Sequence, residues 1–144
     1  MINHLQDLFG CLEKHKVRYL VIGGIASILY GVPRTTFDLD ILIDADIDNI
    51  KRLLDAFTEA GMGTALLTSP EKIRETEITI FQDKVRVDVQ TKTPGIEFEK
   101  SWENKNTVDL KGRQVYLVSK EDLIASKKAA GRDKDIEDVR LLSS

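Results

Sequence analysis

The spacing of apolar positions changes several times along the chain, and each change marks an element. Leu5, Leu8, Phe9 and Leu12 recur at the spacing of a helix face, which predicts an amphipathic helix over residues 3–15. Residues 17–22 form a short unbroken run of branched and aromatic side chains, the mark of a buried strand. Gly23-Gly24 punctuates that run. Ile25, Ala26, Ile28 and Leu29 then begin a second helix, which ends near Gly31 with Pro33 just beyond. Over residues 37–43 the period drops to two. Phe37, Leu39, Ile41 and Ile43 point one way, and Asp38, Asp40 and Asp44 point the other. Ile50, Leu53, Leu54 and Phe57 restore helical spacing over residues 49–60, with Asp48 placed to cap the start and Gly61 to close the end.

The second half alternates hairpins and helices. Residues 77–81 and 85–90 read as two strands turning near Asp83-Lys84, with Val85, Val87 and Val89 on one face of the second strand and Arg86, Asp88 and Gln90 on the other. A short helix is expected over residues 96–103. A second hairpin is expected over residues 107–110 and 114–118, around Lys111-Gly112. Ser119 and Asp122 form a capping pair that opens a helix to about Ala130, and residues 133–142 form the last helix. No repeat, low-complexity stretch or Pro/Gly/Ser-rich linker divides the chain. The expectation is one domain over residues 1–144, a mixed β-sheet flanked by helices (α/β or α+β), with C-terminal helices over residues 119–142 packed on it.

Composition narrows the chemistry. With 144 residues, 42% hydrophobic and 31% charged, the chain has the balance of an ordinary globular domain. The net charge of -3 conceals a local imbalance: residues 36–50 carry five aspartates (Asp38, Asp40, Asp44, Asp46, Asp48) and no basic residue, which leaves +2 for the rest. An acidic cluster on a mildly basic body does not suit nonspecific coating of DNA, and fits a site that gathers cations. Cys11 is the single cysteine, and the two histidines, His4 and His15, both fall in the first predicted helix. That supply excludes an intrachain disulfide, a structural zinc site and any Ser-His-Asp or Cys-His arrangement. No apolar run is long enough to span a membrane, and the N-terminal residues lack the order of a signal peptide. The simplest expectation is a cytoplasmic protein with no membrane partner.

Three features converge on one kind of chemistry. Gly23-Gly24, between a strand and a helix, lets a ligand approach the backbone at a helix start. Taken alone, such glycines serve tight packing more often than binding. Asp38-Leu39-Asp40 places two carboxylates on one strand face, about 5–7 Å apart, where they repel unless a cation lies between them. Hard carboxylate oxygens select Mg²⁺ or Mn²⁺. The plainer reading is a solvated outer face, although aspartate is a poor strand former. Asp88 interrupts another strong strand. It reads either as a surface residue paired with Arg86 or Lys84, or, if its strand lies beside residues 37–43, as the third member of a triad. Three carboxylates can hold two metal ions about 3.5–4 Å apart, the arrangement of phosphoryl transfer, and Asp88 can also take a proton from an attacking hydroxyl.

Gly23-Gly24, then Arg34-Thr35-Thr36-Phe37-Asp38-Leu39-Asp40-Ile41, then the distant Asp88, resembles the nucleotidyltransferase superfamily related to DNA polymerase beta. The string GGIASILYGVPRTTFDLDILID and the C-terminal DLIASKKAAGRDKDIEDVRLL are similar to the branch that holds AbiEii-type and other small toxin-antitoxin nucleotidyltransferases. The resemblance implies a nucleotidyltransferase-like fold that moves NMP from an NTP to a hydroxyl or phosphate acceptor, with pyrophosphate leaving. By matching position, Gly23 and Gly24 would contact the β- and γ-phosphates. Asp38 and Asp40 would hold two Mg²⁺ or Mn²⁺ ions, and Asp88 the catalytic one. Arg34 would meet a phosphate or the acceptor, and Lys127 and Lys134 would meet phosphates, against a plainer reading of Lys127 and Lys128 as a solvated helix face. Asp135 and Asp138 are expected to pair with Arg132 or Lys134 across adjacent turns. Gly24 stands where many relatives have serine, and the extra helices with which larger relatives bind base and acceptor have no counterpart. Recognition of the acceptor (RNA, protein or small molecule) is therefore expected to involve a homodimer or a helical partner protein. The alternatives are a catalytically silent nucleotide-binding or toxin-antitoxin interaction module and, ranked last, a Ca²⁺ site over Asp38–Asp48, which lacks the 12-residue loop pattern with its terminal Glu.

Overall fold

The computed structural model describes residues 2–144. The chain opens with α1 (Ile2–Lys14), β1 (Tyr19–Ile22), α2 (Gly23–Leu29), β2 (Asp38–Ile43) and α3 (Ile47–Glu59). A 3₁₀ turn at Gly63–Leu67 and α4 (Pro70–Glu75) lead to the hairpin β3 (Ile78–Gln82) and β4 (Arg86–Gln90). Helix α5 (Phe98–Glu103), the hairpin β5 (Asn106–Leu110) and β6 (Arg113–Leu117), then α6 (Lys120–Ala130) and α7 (Asp133–Leu142) complete it. The six strands form one mixed sheet in the order β3-β4-β2-β1-β6-β5, so the fold is α+β with helices on both faces. Among the described residues no helix is long and apolar enough to cross a membrane.

Strand character follows position in the sheet. β1, Tyr-Leu-Val-Ile, lies between two neighbours and is buried at every residue, which requires a continuous apolar run. β2 is antiparallel to β1 and parallel to β4, and its alternation divides the sheet into two faces. Leu39, Ile41, Val87, Val89 and Phe81 share the face covered by α1 and α3. There Phe57 meets Phe81 edge-on at 5.0 Å and Phe9 stacks on Tyr19 at 6.1 Å. Asp38, Asp40, Arg86 and Asp88 share the opposite face. Helix α2 packs on β1 and β2 on that side, α6 packs on α2, and α7 packs on α6.

A buried amide fixes the two central strands at one end. Asn49 is fully buried. Its Oδ1 accepts the Arg18 N–H at 2.8 Å, and its Nδ2 donates to the Arg18 carbonyl at 3.0 Å and the Asp44 carbonyl at 2.8 Å. Three backbone groups just outside β1 and β2 are thus satisfied by one side chain.

Several boundaries differ from the expectation. Helix α3 begins at Ile47 with Asp46 at the N-cap, because the Asp44 carboxylate takes the Asp46 N–H; Asp48 therefore lies in the first turn, where its charge still suits the helix dipole. Phe37 does not share the core face: β2 starts at Asp38, and Phe37 is 78% exposed. The glycines do not precede α2 but form its first turn. The 3₁₀ turn and α4 lie where no element was expected, although Ser69-Pro70 carried a start signal: Ser69 Oγ accepts the Lys72 N–H and proline occupies the first turn. The Ser119 cap is present as expected, its Oγ accepting the Asp122 N–H at 3.1 Å.

Replacing Asn49 by alanine removes all three bonds and leaves the half-buried Arg18 N–H and Asp44 carbonyl without that partner, while the Arg18 carbonyl keeps the Asp44 N–H at 3.3 Å. Asn49→Ala is expected to cost about 2–4 kcal/mol, measured as a lower urea midpoint at unchanged slope.

Candidate functional site

A cleft of about 410 Å³ opens on the polar face of the sheet. β2 and β4 run parallel in a register that sets Asp40 beside Asp88 and Asp38 beside Arg86. Pleating turns all four side chains to the same side, and all four line the cleft together with Gly23 and Gly24. The condition attached to Asp88 in the sequence is met: its strand lies directly beside that of Asp38 and Asp40. Its pairing with Arg86 is also present, so the two readings of Asp88 coexist. Arg86 Nε donates to Asp88 Oδ1 at 2.9 Å and Nη2 donates to Oδ2 at 3.3 Å, while Nε stands 3.9 Å from Asp38 Oδ2.

Asp40 is the electrostatic centre. Burial, reinforced by the Asp88 and Asp38 carboxylates, pushes its pKa up to about 6, with Lys134 and Arg132 pulling the other way. Gly23 makes that burial geometrically feasible. Its φ is +69°, and a Cβ built there would collide with the Asp40 carboxylate. Gly24 faces Thr36, whose Oγ1 accepts the Asp38 N–H at 3.4 Å.

The opposite wall is basic and is organised by two buried carboxylates. Asp138 Oδ2 accepts Arg34 Nη1 at 2.6 Å and Ser27 Oγ at 3.4 Å, and pairs with Lys127 Nζ at 2.8 Å. Asp135 takes Arg132 Nε at 2.7 Å and lies 3.6 Å from Lys127 Nζ. Burial alone would raise the Asp135 pKa, but the hydrogen bond and charge of Arg132, with the Lys127 charge, hold it below the ordinary aspartate value. Lys127 is not on a solvated helix face: its side chain is 5% exposed and lies between Asp135 and Asp138. The Asp135–Arg132 pair follows the expected adjacent-turn pattern. Asp138 instead reaches Arg34, whose position in the sequence gave no hint of the contact. Arg34, Lys127, Arg132 and Lys134 all line the cleft. Reasoning from sequence missed Ser27 and the joining role of Asp138, and cast Arg132 only as a partner for acids. The charged run over residues 132–138, four acids and two bases, gave no such signal, since mixed charge of that kind reads as a solvated helix.

The donor set suits a hard divalent cation, because three carboxylates on one face demand a positive charge among them. That charge is present as a stand-in: the Arg86 guanidinium engages Asp88 and approaches Asp38. Among the described residues no three His, Cys, Asp or Glu side chains are already gathered into a metal cage. Asp38 and Asp40 with Asp88 would hold an ion once the guanidinium gives way.

Two outcomes follow from this geometry. A carboxyl group whose folded pKa lies above its unfolded value destabilises the fold once pH rises through that interval. Asp40→Asn is therefore expected to stabilise the metal-free protein above pH 6 by on the order of 2 kcal/mol, with the gain vanishing below about pH 4, as read by thermal melts across pH. Gly23→Ala is expected to cost about 1–2 kcal/mol through backbone strain and displacement of the Asp40 carboxylate, read as a lower urea midpoint.

Comparison with known proteins agrees with the fold. No curated protein matches the chain by sequence. Among solved structures, a candidate nucleotidyltransferase from Thermotoga maritima superposes with a TM-score of 0.64 at 20% identity, covering 95% of this chain and 88% of its own. The antibiotic-resistance factor ANT(2'')-Ia superposes at 0.61 with 14% identity, covering 98% and 81%. The lincomycin-bound lincosamide adenylyltransferase LnuA superposes at 0.55 with 18% identity, covering 99% and 96%. The family described as "Nucleotidyltransferase of unknown function (DUF6036)" matches residues 2–142. With an acidic sheet face, a glycine turn and a basic wall enclosed in that match, the chain belongs to this nucleotidyltransferase family.

Proposed function

We propose that the protein is a metal-dependent nucleotidyltransferase that moves NMP from an NTP, ATP in the simplest case, to a hydroxyl or phosphate acceptor. The observation that carries this reading is the in-register placement of Asp40 beside Asp88, with Asp38 on the same face, opposite a basic wall. Two Mg²⁺ or Mn²⁺ ions held by Asp38, Asp40 and Asp88 would supply positive charge at the reacting phosphate. The chain's own residues do the rest. Backbone N–H groups at Gly23 and Gly24 donate to the β- and γ-phosphates, with the carboxylate of Asp40 occupying the space a side chain would take. Arg34 and Lys134 offset the triphosphate charge from the basic wall. Lys127 lines the same wall and contributes chiefly by holding Asp135 and Asp138, which in turn orient Arg132 and Arg34. Asp88 accepts the proton of the attacking hydroxyl.

The acceptor is a hydroxyl or phosphate on a small molecule, RNA or protein. The likeness to a lincosamide adenylyltransferase and an antibiotic-resistance factor supports a small molecule. The similarity of the glycine-turn and C-terminal strings to toxin-antitoxin nucleotidyltransferases supports RNA or protein, with residues 1–144 acting as one unit in the cytoplasm alongside a helical partner or a second copy.

Incubating the protein with each labelled NTP, Mg²⁺ and acceptors of all three classes is expected to release pyrophosphate. The Asp38→Ala/Asp40→Ala variant should lose at least about a hundredfold of that rate. NTP binding without turnover for any acceptor, with and without the partner, would instead establish the catalytically silent binding module.

A further inference from the structure

Arg86 occupies an unusual place. It sits two residues before Asp88 on the same strand face, and across the β2–β4 pairing it lies directly beside Asp38. An arginine at a strand start ordinarily extends into water. Here the side chain, 37% exposed, turns along the sheet and closes a two-pronged contact on both oxygens of Asp88, with Asp38 3.9 Å from the same Nε. A guanidinium fork matches a carboxylate in shape and charge, so this contact orients Asp88 and not merely neutralises it. The attraction is mutual: hydrogen bonding to Asp88, with the charges of Asp88, Asp38 and Asp40, holds the guanidinium firmly protonated.

The oxygens that Arg86 engages are the ones Asp88 would offer to a metal ion. One ligand set thus has two competing cations, one built into the chain. Among the described residues no other basic side chain forms an ion pair with Asp38, Asp40 or Asp88, and Lys134 and Arg132 act on Asp40 through their charge alone. Arg34, Lys127 and Arg132 are already held by Asp138 and Asp135 on the far wall. We infer that Arg86 is a positioning residue and the resident cation of the carboxylate face: it holds Asp88 in place before loading, must release it for a divalent ion to bind, and so makes metal binding depend on the triphosphate that offers the guanidinium a new anionic partner. This rests on the reading of the cleft as a metal and nucleotide site. It adds an order of events, in which divalent ions alone bind poorly and ion and nucleotide bind well together.

The test is the affinity for Mn²⁺, followed by the electron paramagnetic resonance signal of the free ion during titration of the full chain at neutral pH. Without nucleotide, Arg86→Gln is expected to bind Mn²⁺ about tenfold more tightly than the unaltered protein. Arg86→Lys, which keeps the charge but lacks the fork, should fall between them. Lys92→Gln removes another positive charge from the cleft lining without touching Asp88, and should stay within about twofold of the unaltered protein. A non-hydrolysable NTP analogue should narrow the gap between Arg86→Gln and the unaltered protein. A merely structural arginine gives the opposite sign, since its loss would loosen the ligands and weaken Mn²⁺ binding. Equal or weaker binding by a folded Arg86→Gln overturns the inference. So does Arg86→Lys matching the unaltered protein, which is the decisive result should the glutamine variant fail to fold. If none of the proteins binds Mn²⁺ with or without the analogue, the reading of the cleft as a metal-dependent site fails with it.

Discussion

The acidic face of the cleft depends on the register of one strand pair. Parallel pairing of β2 with β4 sets Asp40 beside Asp88, and like charges side by side on a sheet are destabilising. The pairing holds because the reverse side of the same two strands is wholly apolar. Leu39, Ile41, Val87 and Val89 are fully buried there, on the face where Phe57 of α3 meets Phe81. Side chains alternate with a period of two, so a slip of one residue would send the carboxylates into the core and the valines into water. The hydrophobic face thus enforces an arrangement that electrostatics opposes, and the acidic face is as firmly specified as the core.

The basic wall is specified in another way. Asp138 joins Ser27 of α2, Arg34 of the following loop and Lys127 of α6 to α7, four segments meeting at one carboxylate. A buried ion network of this kind is weak evidence of stability, because desolvation consumes much of its attraction. Its better-attested use is fixing one geometry among several. Arg34, Lys127, Arg132 and Lys134 bring four positive charges against two from Asp135 and Asp138, so the wall keeps a surplus of two at the cleft.

Local chemistry was legible in the sequence; long-range adjacency was not. The alternation over residues 37–43 located the two strand aspartates, and Ser119 announced α6 through a contact only three residues long. That β4 would lie beside β2 is fixed by a crossover through α3 and α4, which periodicity does not encode. Lys127 illustrates the same limit. A lysine pair near a helix end reads as solvated until α7 folds back and supplies Asp135 and Asp138. The contact between Arg34 and Asp138 spans 104 positions, beyond any spacing rule. Phe37 misled because alternation continues one residue past the point where hydrogen-bonded pairing begins.

The glycine at position 23 has a role that its backbone angle alone does not convey. The volume a methyl group would fill is filled by an oxygen of Asp40. Depth of insertion governs how poorly water reaches that carboxylate, and hence how reluctantly it ionises. A missing carbon atom on one segment thereby tunes the acidity of a group on another, and positions 23 and 40 form a single unit of design in which the emptiness of the first sets the chemistry of the second.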